Sequence, residues 1–301
     1  MKKRVVSGVI GFLFLTAALL APPLAIVLVV LVASLIAIME FRQAVQSVNR
    51  TVDPFTGAFM TVMLIGNSWI GNPNVVDHLK EQMINFPEGI TAKLLPLLNM
   101  IDFSFSTRSV QAMAFVSIVW LFSRLVFDGN RFHLDDLAMT VTSILYIPFL
   151  MSFIPYIRSM EHGEFMIWTV IIGSIWTDTA AYFVGVTIGK HKLLPKISPK
   201  KTIEGAIGGV VGATIVMTAM GFIVPAAVKQ DIPIIHFVAL GFLCGLVSQL
   251  GDWSASAIKR SSGIKDFGKL IPGHGGMLDR IDSIVFVGPV VYLYLHVVVG
   301  L

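Results

Sequence analysis

The chain has 301 residues, of which 55% are hydrophobic and 13% charged, and its mean hydropathy is +0.81. Soluble domains carry about 25% charged residues, so there is too little polar surface here to cover a water-facing globule, and a disordered or nucleic-acid-binding chain is excluded. One cysteine, Cys244, excludes an internal disulfide framework and a thiolate metal cluster, and 22 Lys and Arg against 18 Asp and Glu leave a net charge of +4 whose placement matters more than its size.

A bilayer core about 30 Å thick takes about 20 mostly apolar helical residues. Such stretches lie near 5–21, 23–39, 55–71, 109–127, 134–157, 165–185, 205–225, 234–251 and 283–301. The expected fold is therefore all-α, a polytopic membrane bundle of about nine transmembrane helices. Pro22 and Pro23 punctuate the first hairpin, because proline lacks the N–H that would continue a helix. Lys2, Lys3 and Arg4 give the first stretch the look of a secretory signal. No convincing small-residue cleavage site follows and a second span comes at once, so the first stretch is expected to remain as a span. Residues 90–101 are apolar but too short to cross, which makes them interfacial or re-entrant.

Orientation follows from basic residues, which concentrate on the cytoplasmic side. With the N-terminus inside, 17 of the 22 Lys and Arg fall on inner segments and only Lys80, Lys93, Arg108, Arg158 and Lys229 on outer ones. The outer 72–108 connection is long, mildly amphipathic and without a chemical motif. The expected organisation is an N-terminal multi-span region, 1–133, and a C-terminal catalytic region, 134–301, with cytoplasmic loops at 186–204 and 252–282. Gly205, Gly208, Gly209 and Gly212 are read as a packing face, since small residues at four-residue spacing let membrane helices approach. A dinucleotide fingerprint would need a preceding strand, and none is readable.

Two inner segments carry the polar chemistry. From Asp252 to Asp282, 31 residues hold nine of the chain's forty charges. On a helix Asp279 and Asp282 share a face, as do Asp252, Ser256 and Lys259. Hard divalent cations such as Mg²⁺ take oxygen ligands, typically one or two carboxylates plus substrate phosphates. Lys259, Arg260, Lys265 and Arg280 supply complementary phosphate-binding groups. Between them, Pro272-Gly273-His274-Gly275-Gly276 forms a turn whose glycines allow backbone amides near a ligand. Together these residues describe a metal-dependent phosphoryl or nucleotidyl site.

Blander readings stand beside this one. Lys190, Lys192 and Lys196 serve topology or lipid-headgroup attraction as readily as catalysis. His274 is a packing or capping residue, or else a phosphate or proton contact. Acids at helix ends can be solvated caps, although a carboxylate pair beside the bilayer is costly without a cation. A hydrolase triad of Ser256, His274 and Asp279 lacks the glycine pattern of a nucleophile elbow.

The run Ser256-Ala257-Ile258-Lys259-Arg260, then Lys265-Asp266-Phe267-Gly268, then Pro272 through Asp282 resembles the signature of the phosphatidate cytidylyltransferase family. Upstream, Asp178 with Ala181-Tyr182, Gly189-Lys190-His191-Lys192 and Ser198-Pro199-Lys200-Lys201-Thr202-Ile203-Glu204-Gly205 is similar to that family's second conserved region. The resemblance is strong over roughly 176–283 and only hydropathic over the N-terminal half. Ala255 departs from it, standing where many members carry Glu, so no acid at that position takes part here.

The resemblance implies transfer of CMP from CTP to phosphatidic acid at the inner face of the cell membrane, giving CDP-diacylglycerol and pyrophosphate, by a homodimer. It assigns Asp252, Asp279 and Asp282 to Mg²⁺, with a second cation left open, and Lys259 joins them as catalytic. Asp178, Lys200, Lys201, Thr202, Ser256, Arg260, Lys265, His274, Gly275, Gly276 and Arg280 fall to substrate binding. Two rivals are a CTP-dependent membrane enzyme acting on another lipid, and an ion-coupled transporter with Asp178, Asp252 and Asp282 as pathway acids. Transporters often carry internal inverted repeats, and the aspartate-rich segment has no second copy.

Overall fold

A computed structural model describes residues 11, 13, 15–70, 103–129, 131–271, 273 and 275–300. Residues 15–20 are helical, and α1 (Pro23–Gln46) follows with Pro22 as its cap and Pro23 at its first position, where a missing N–H costs nothing. Next come α2 (Pro54–Ile70) and α3 (Phe103–Phe127). α4 (Leu134–Ile144) runs into a π-helical turn at Leu145–Phe149 that accommodates Pro148, and α5 (Phe153–Arg158) completes that crossing. α6 (Gly163–Thr187) leads to an antiparallel hairpin, β1 (Lys192–Leu194) and β2 (Ser198–Thr202), with Lys192 opposite Thr202 and Leu194 opposite Ser198. The chain ends in α7 (Ile203–Val228), α8 (Ile234–Ser261) and α9 (Leu278–Leu293), the last continuing as a π-helix to Val299.

Among the described residues seven helical segments are long and apolar enough to cross a bilayer, and α2 adds a 17-residue apolar helix. The chain is thus a multi-pass helical membrane protein. Residues 5–10, 12 and 14 of the 5–21 span and all of the 90–101 segment lie outside the described residues. Large apolar side chains on α3, among them Phe115, Trp120 and Phe127, are exposed, as lipid-facing residues are.

Several boundaries differ from the hydropathy reading: α1 runs to Gln46 rather than 39 and α3 begins at Phe103 rather than 109, and two more lie at the polar end. α8 runs on past Gly251, where the apolar stretch ends, to Ser261, and α9 begins at Leu278 rather than 283. The polar residues at these ends bury against one another, so the helices extend through stretches that hydropathy reads as loop. Hydropathy also gives no sign of the hairpin inside 186–204.

The glycines of α7 do what their spacing suggests. A Cβ at Gly208 would come within 2.5 Å of Val184, and one at Gly212 within 2.3 Å of Ala180, so α7 lies directly on α6. The same closeness joins α8 to α9, where a Cβ at Gly251 would meet the Asp282 carbonyl at 2.4 Å. That contact brings the turn of α8 that carries Asp252 against the turn of α9 that carries Asp282.

Candidate active site

Three helices and the hairpin converge at one end of the bundle. Asp178 on α6 and Asp282 on α9 both face the Ser283 hydroxyl, with oxygens 3.4 and 3.5 Å from Ser283 Oγ. Neither carboxylate forms an ion pair among the described residues, while Lys201, Lys259 and Arg280 supply positive field around them. Two unpaired carboxylates in that field are a hard-oxygen donor set suited to Mg²⁺ completed by substrate phosphates. No group of three or more His, Cys, Asp and Glu gathers among the described residues.

Across from them, Lys201 on β2 pairs with Asp252 on α8 and sits 5.8 Å over the Trp253 ring. Burial pushes the Lys201 ammonium down to about 8, against the pull of Asp178 and Asp282. Asp178, Lys200, Lys201 and Asp252 line a cavity of about 360 Å³ whose other wall, including Tyr182 and Val186, is apolar. Tyr182 and Val186 are also exposed on the outer surface of α6, so the cavity joins charged groups to an exposed apolar face. Gln249 closes its floor by donating to the Ala206 and Gly245 carbonyls.

A second cluster lies behind the first. Lys259 Nζ donates to Asp279 Oδ1 at 2.7 Å, and its ammonium lies 5.4 Å from the Phe267 ring centre. Asp279 Oδ2 accepts from the backbone N–H of Phe267 (2.9 Å) and of Gly276 (3.0 Å). Gly275 adopts φ +87°, a left-handed conformation that favours glycine, and a Cβ there would meet Asp279 Oδ2 at 2.8 Å. Asp279 therefore anchors the 262–277 loop. Expected as a metal ligand, it has both oxygens engaged by Lys259 and the loop, because a carboxylate in the first turn of a helix reaches back to the amides that precede it.

The other expected residues divide by location. Thr202 caps α7, its hydroxyl accepting from Gly205 N–H at 3.1 Å, so it orients the helix behind Lys201. Glu204 holds the hairpin's base through the Lys190 and His191 amides and the His191 ring. Ser256 is buried one turn from both Asp252 and Lys259. Arg260, turned outward, donates to the carbonyls of Ile197 and Ile264 and so ties hairpin to loop. Lys200, Lys265 and Arg280 are exposed around the mouth. His274 lies outside the described residues. Ala255 is fully buried, in keeping with a packing role.

Sequence reasoning missed Ser283, Tyr146 and Glu40. Tyr146, on the π-helical turn, is buried with no hydrogen-bond partner for its hydroxyl among the described residues, and it lies in the field of Asp279 and Asp282. Glu40 reaches the loop from α1. As the only acid in the first 52 residues, set at the end of an apolar span, it did carry a signal.

Residues 2–298 match the model of the cytidylyltransferase family. A Bacillus subtilis (strain 168) protein named phosphatidate cytidylyltransferase is 36% identical over 190 residues, covering 62% of this chain and 68% of that protein. Its namesake from Staphylococcus aureus (strain COL) is 40% identical over 191 residues with the same coverage, and that from Staphylococcus haemolyticus 37% over 190.

Proposed function

The chain belongs to the cytidylyltransferase family, and from that premise we propose that its α6–α8–α9 site transfers CMP from CTP to phosphatidic acid, giving CDP-diacylglycerol and pyrophosphate. The observation that carries this reading is the cavity with one charged wall, lined by Asp178, Lys201 and Asp252, and one apolar wall, with Asp282 meeting Asp178 at the Ser283 hydroxyl. A charged wall suits phosphates, and an apolar wall continuous with the lipid-facing side of α6 suits a substrate that keeps its acyl chains in the bilayer.

In the reaction a phosphatidate oxygen forms a bond to the α-phosphorus of CTP while the bond to the bridging oxygen of pyrophosphate breaks. Positioning and electrostatics dominate such transfers. Lys201 and Lys200 hold phosphates on the hairpin side. Lys259, fixed by Asp279, places a buried positive charge behind the reacting groups, and Arg280 does so from the mouth. Mg²⁺ is assigned to Asp282 with Asp178, in place of Asp279, whose two oxygens are both engaged; Asp252, one of whose oxygens is paired with Lys201, would be the further donor for a second cation. Bound there, Mg²⁺ would neutralise charge on the triphosphate.

The basic segments support a cytoplasmic setting for this end of the bundle, where CTP is, with the cell membrane as the membrane crossed. A homodimer belongs to the same reading, carried by the family resemblance. Purified protein in mixed micelles should release pyrophosphate from CTP only when phosphatidate is added, and Asp282→Asn should abolish that release. Release without phosphatidate, or full activity in Asp282→Asn, would overturn the reading.

A further inference from the structure

Glu40 belongs to the N-terminal half, and nothing in the reaction just described uses it. The residue is 6% exposed, and its two carboxylate oxygens accept from the backbone N–H of Met277 (2.9 Å) and Leu278 (2.8 Å). These amides open α9, where N–H groups lack partners within the helix and the helix dipole favours negative charge. Among the described residues Glu40 forms no ion pair, so backbone amides satisfy the buried carboxylate. The loop wraps it tightly, since a Cβ at Gly268 or Gly276 would come within 2.4 or 2.5 Å of Glu40 Oε1.

A second contact lies two turns along, at the C-terminal cap of α1. Ser47 Oγ donates to the Ser262 carbonyl, where α8 gives way to the loop. Positions seven apart share a helix face, so one face of α1 grips the loop at its start, through Ser47, and at its end, through Glu40. Immediately beyond Glu40's two amides come Asp279, which orients Lys259, and Asp282, which faces Asp178.

We propose that Glu40 is a positioning residue for CMP transfer: by fixing the first turn of α9 it sets where Asp279 and Asp282 stand relative to the reacting phosphates. This rests on the function proposed above. Glu40 acts on α9 and leaves the hairpin lysines in place, so its loss should fall on transition-state stabilisation more than on CTP binding.

The test uses the full-length protein in lipid nanodiscs, with Glu40→Gln and Glu40→Ala measured against the unaltered chain. Glu40→Ala should lower kcat by about tenfold or more, with KM for CTP changing by less than about threefold. Glu40→Gln keeps one acceptor but turns an NH₂ toward the other amide, so its loss should be smaller. Trypsin cleavage after Lys265 and Lys269 should accelerate in the same order, while cleavage after Lys192 and Lys196 stays unchanged. Wild-type turnover in both variants would overturn the proposal, as would equal acceleration at all four lysines, which would mean general loosening. If Glu40→Ala does not insert, Glu40→Gln decides by the same readouts. If the unaltered chain makes no CDP-diacylglycerol, the function falls, and the cleavage pattern still decides whether Glu40 holds the loop.

Discussion

Lys259 Nζ lies 2.7 Å from Asp279 Oδ1, with the two side chains 11% and 4% exposed, so the last turn of α8 and the first turn of α9 are joined by a buried ion pair. Removing one partner of such a pair leaves an uncompensated buried charge and costs about 3–5 kcal/mol. Lys259→Met and Asp279→Asn should therefore each lower the melting temperature in detergent. The double variant should cost less than the sum of the two by about 0.5–3 kcal/mol, the coupling expected of residues in contact. Strict additivity would show that the pair does not hold the helices together.

Adjacent Lys259 and Arg260 point about 100° apart on α8, one buried on Asp279 and the other exposed against the Ile197 and Ile264 carbonyls. Lys259→Ala should lower kcat strongly, because it removes charge stabilisation that grows in the transition state. Arg260→Ala should act through the apparent KM for one substrate. Equal losses in kcat with unchanged KM for both variants would refute this division.

Lys201 gives the free protein a pH dependence. With burial holding its ammonium at about 8, below the ordinary lysine value, the charge is present below that pH and is lost as pH rises through it. Affinity for CTP should fall between about pH 7 and 9, since the phosphates then meet a neutral amine. In Lys201→Arg, whose guanidinium stays charged, the same titration followed by calorimetry should be flat. An unchanged slope in that variant would assign the dependence to another group.

The spans were legible because lipid imposes length and apolarity on a helix, and the Ser256–Asp282 run because its acids and bases keep fixed spacings. Spacing placed Asp279 and Asp282 on one face but could not separate their roles. Asp279 has its own loop's amides within reach and turns back to them, whereas Asp282, one turn on, faces α6. The hairpin was hidden because Ser198-Pro199-Lys200-Lys201 shows no apolar alternation, and its pairing is fixed instead by Glu204 at its base. Glu40 was hidden by distance: its partner Leu278 is 238 residues away in sequence, and only the packing of α1 against α9 brings them together.

The central claim, nucleotidyl transfer at this site, is tested most directly by following label from CTP. With phosphatidate and Mg²⁺, label on the α-phosphorus should appear in the lipid and label on the γ-phosphorus in pyrophosphate, with both transfers lost in Asp282→Asn. Label from the γ-phosphorus in the lipid would mean a kinase, and α-label left entirely in water-soluble products would contradict the claim outright.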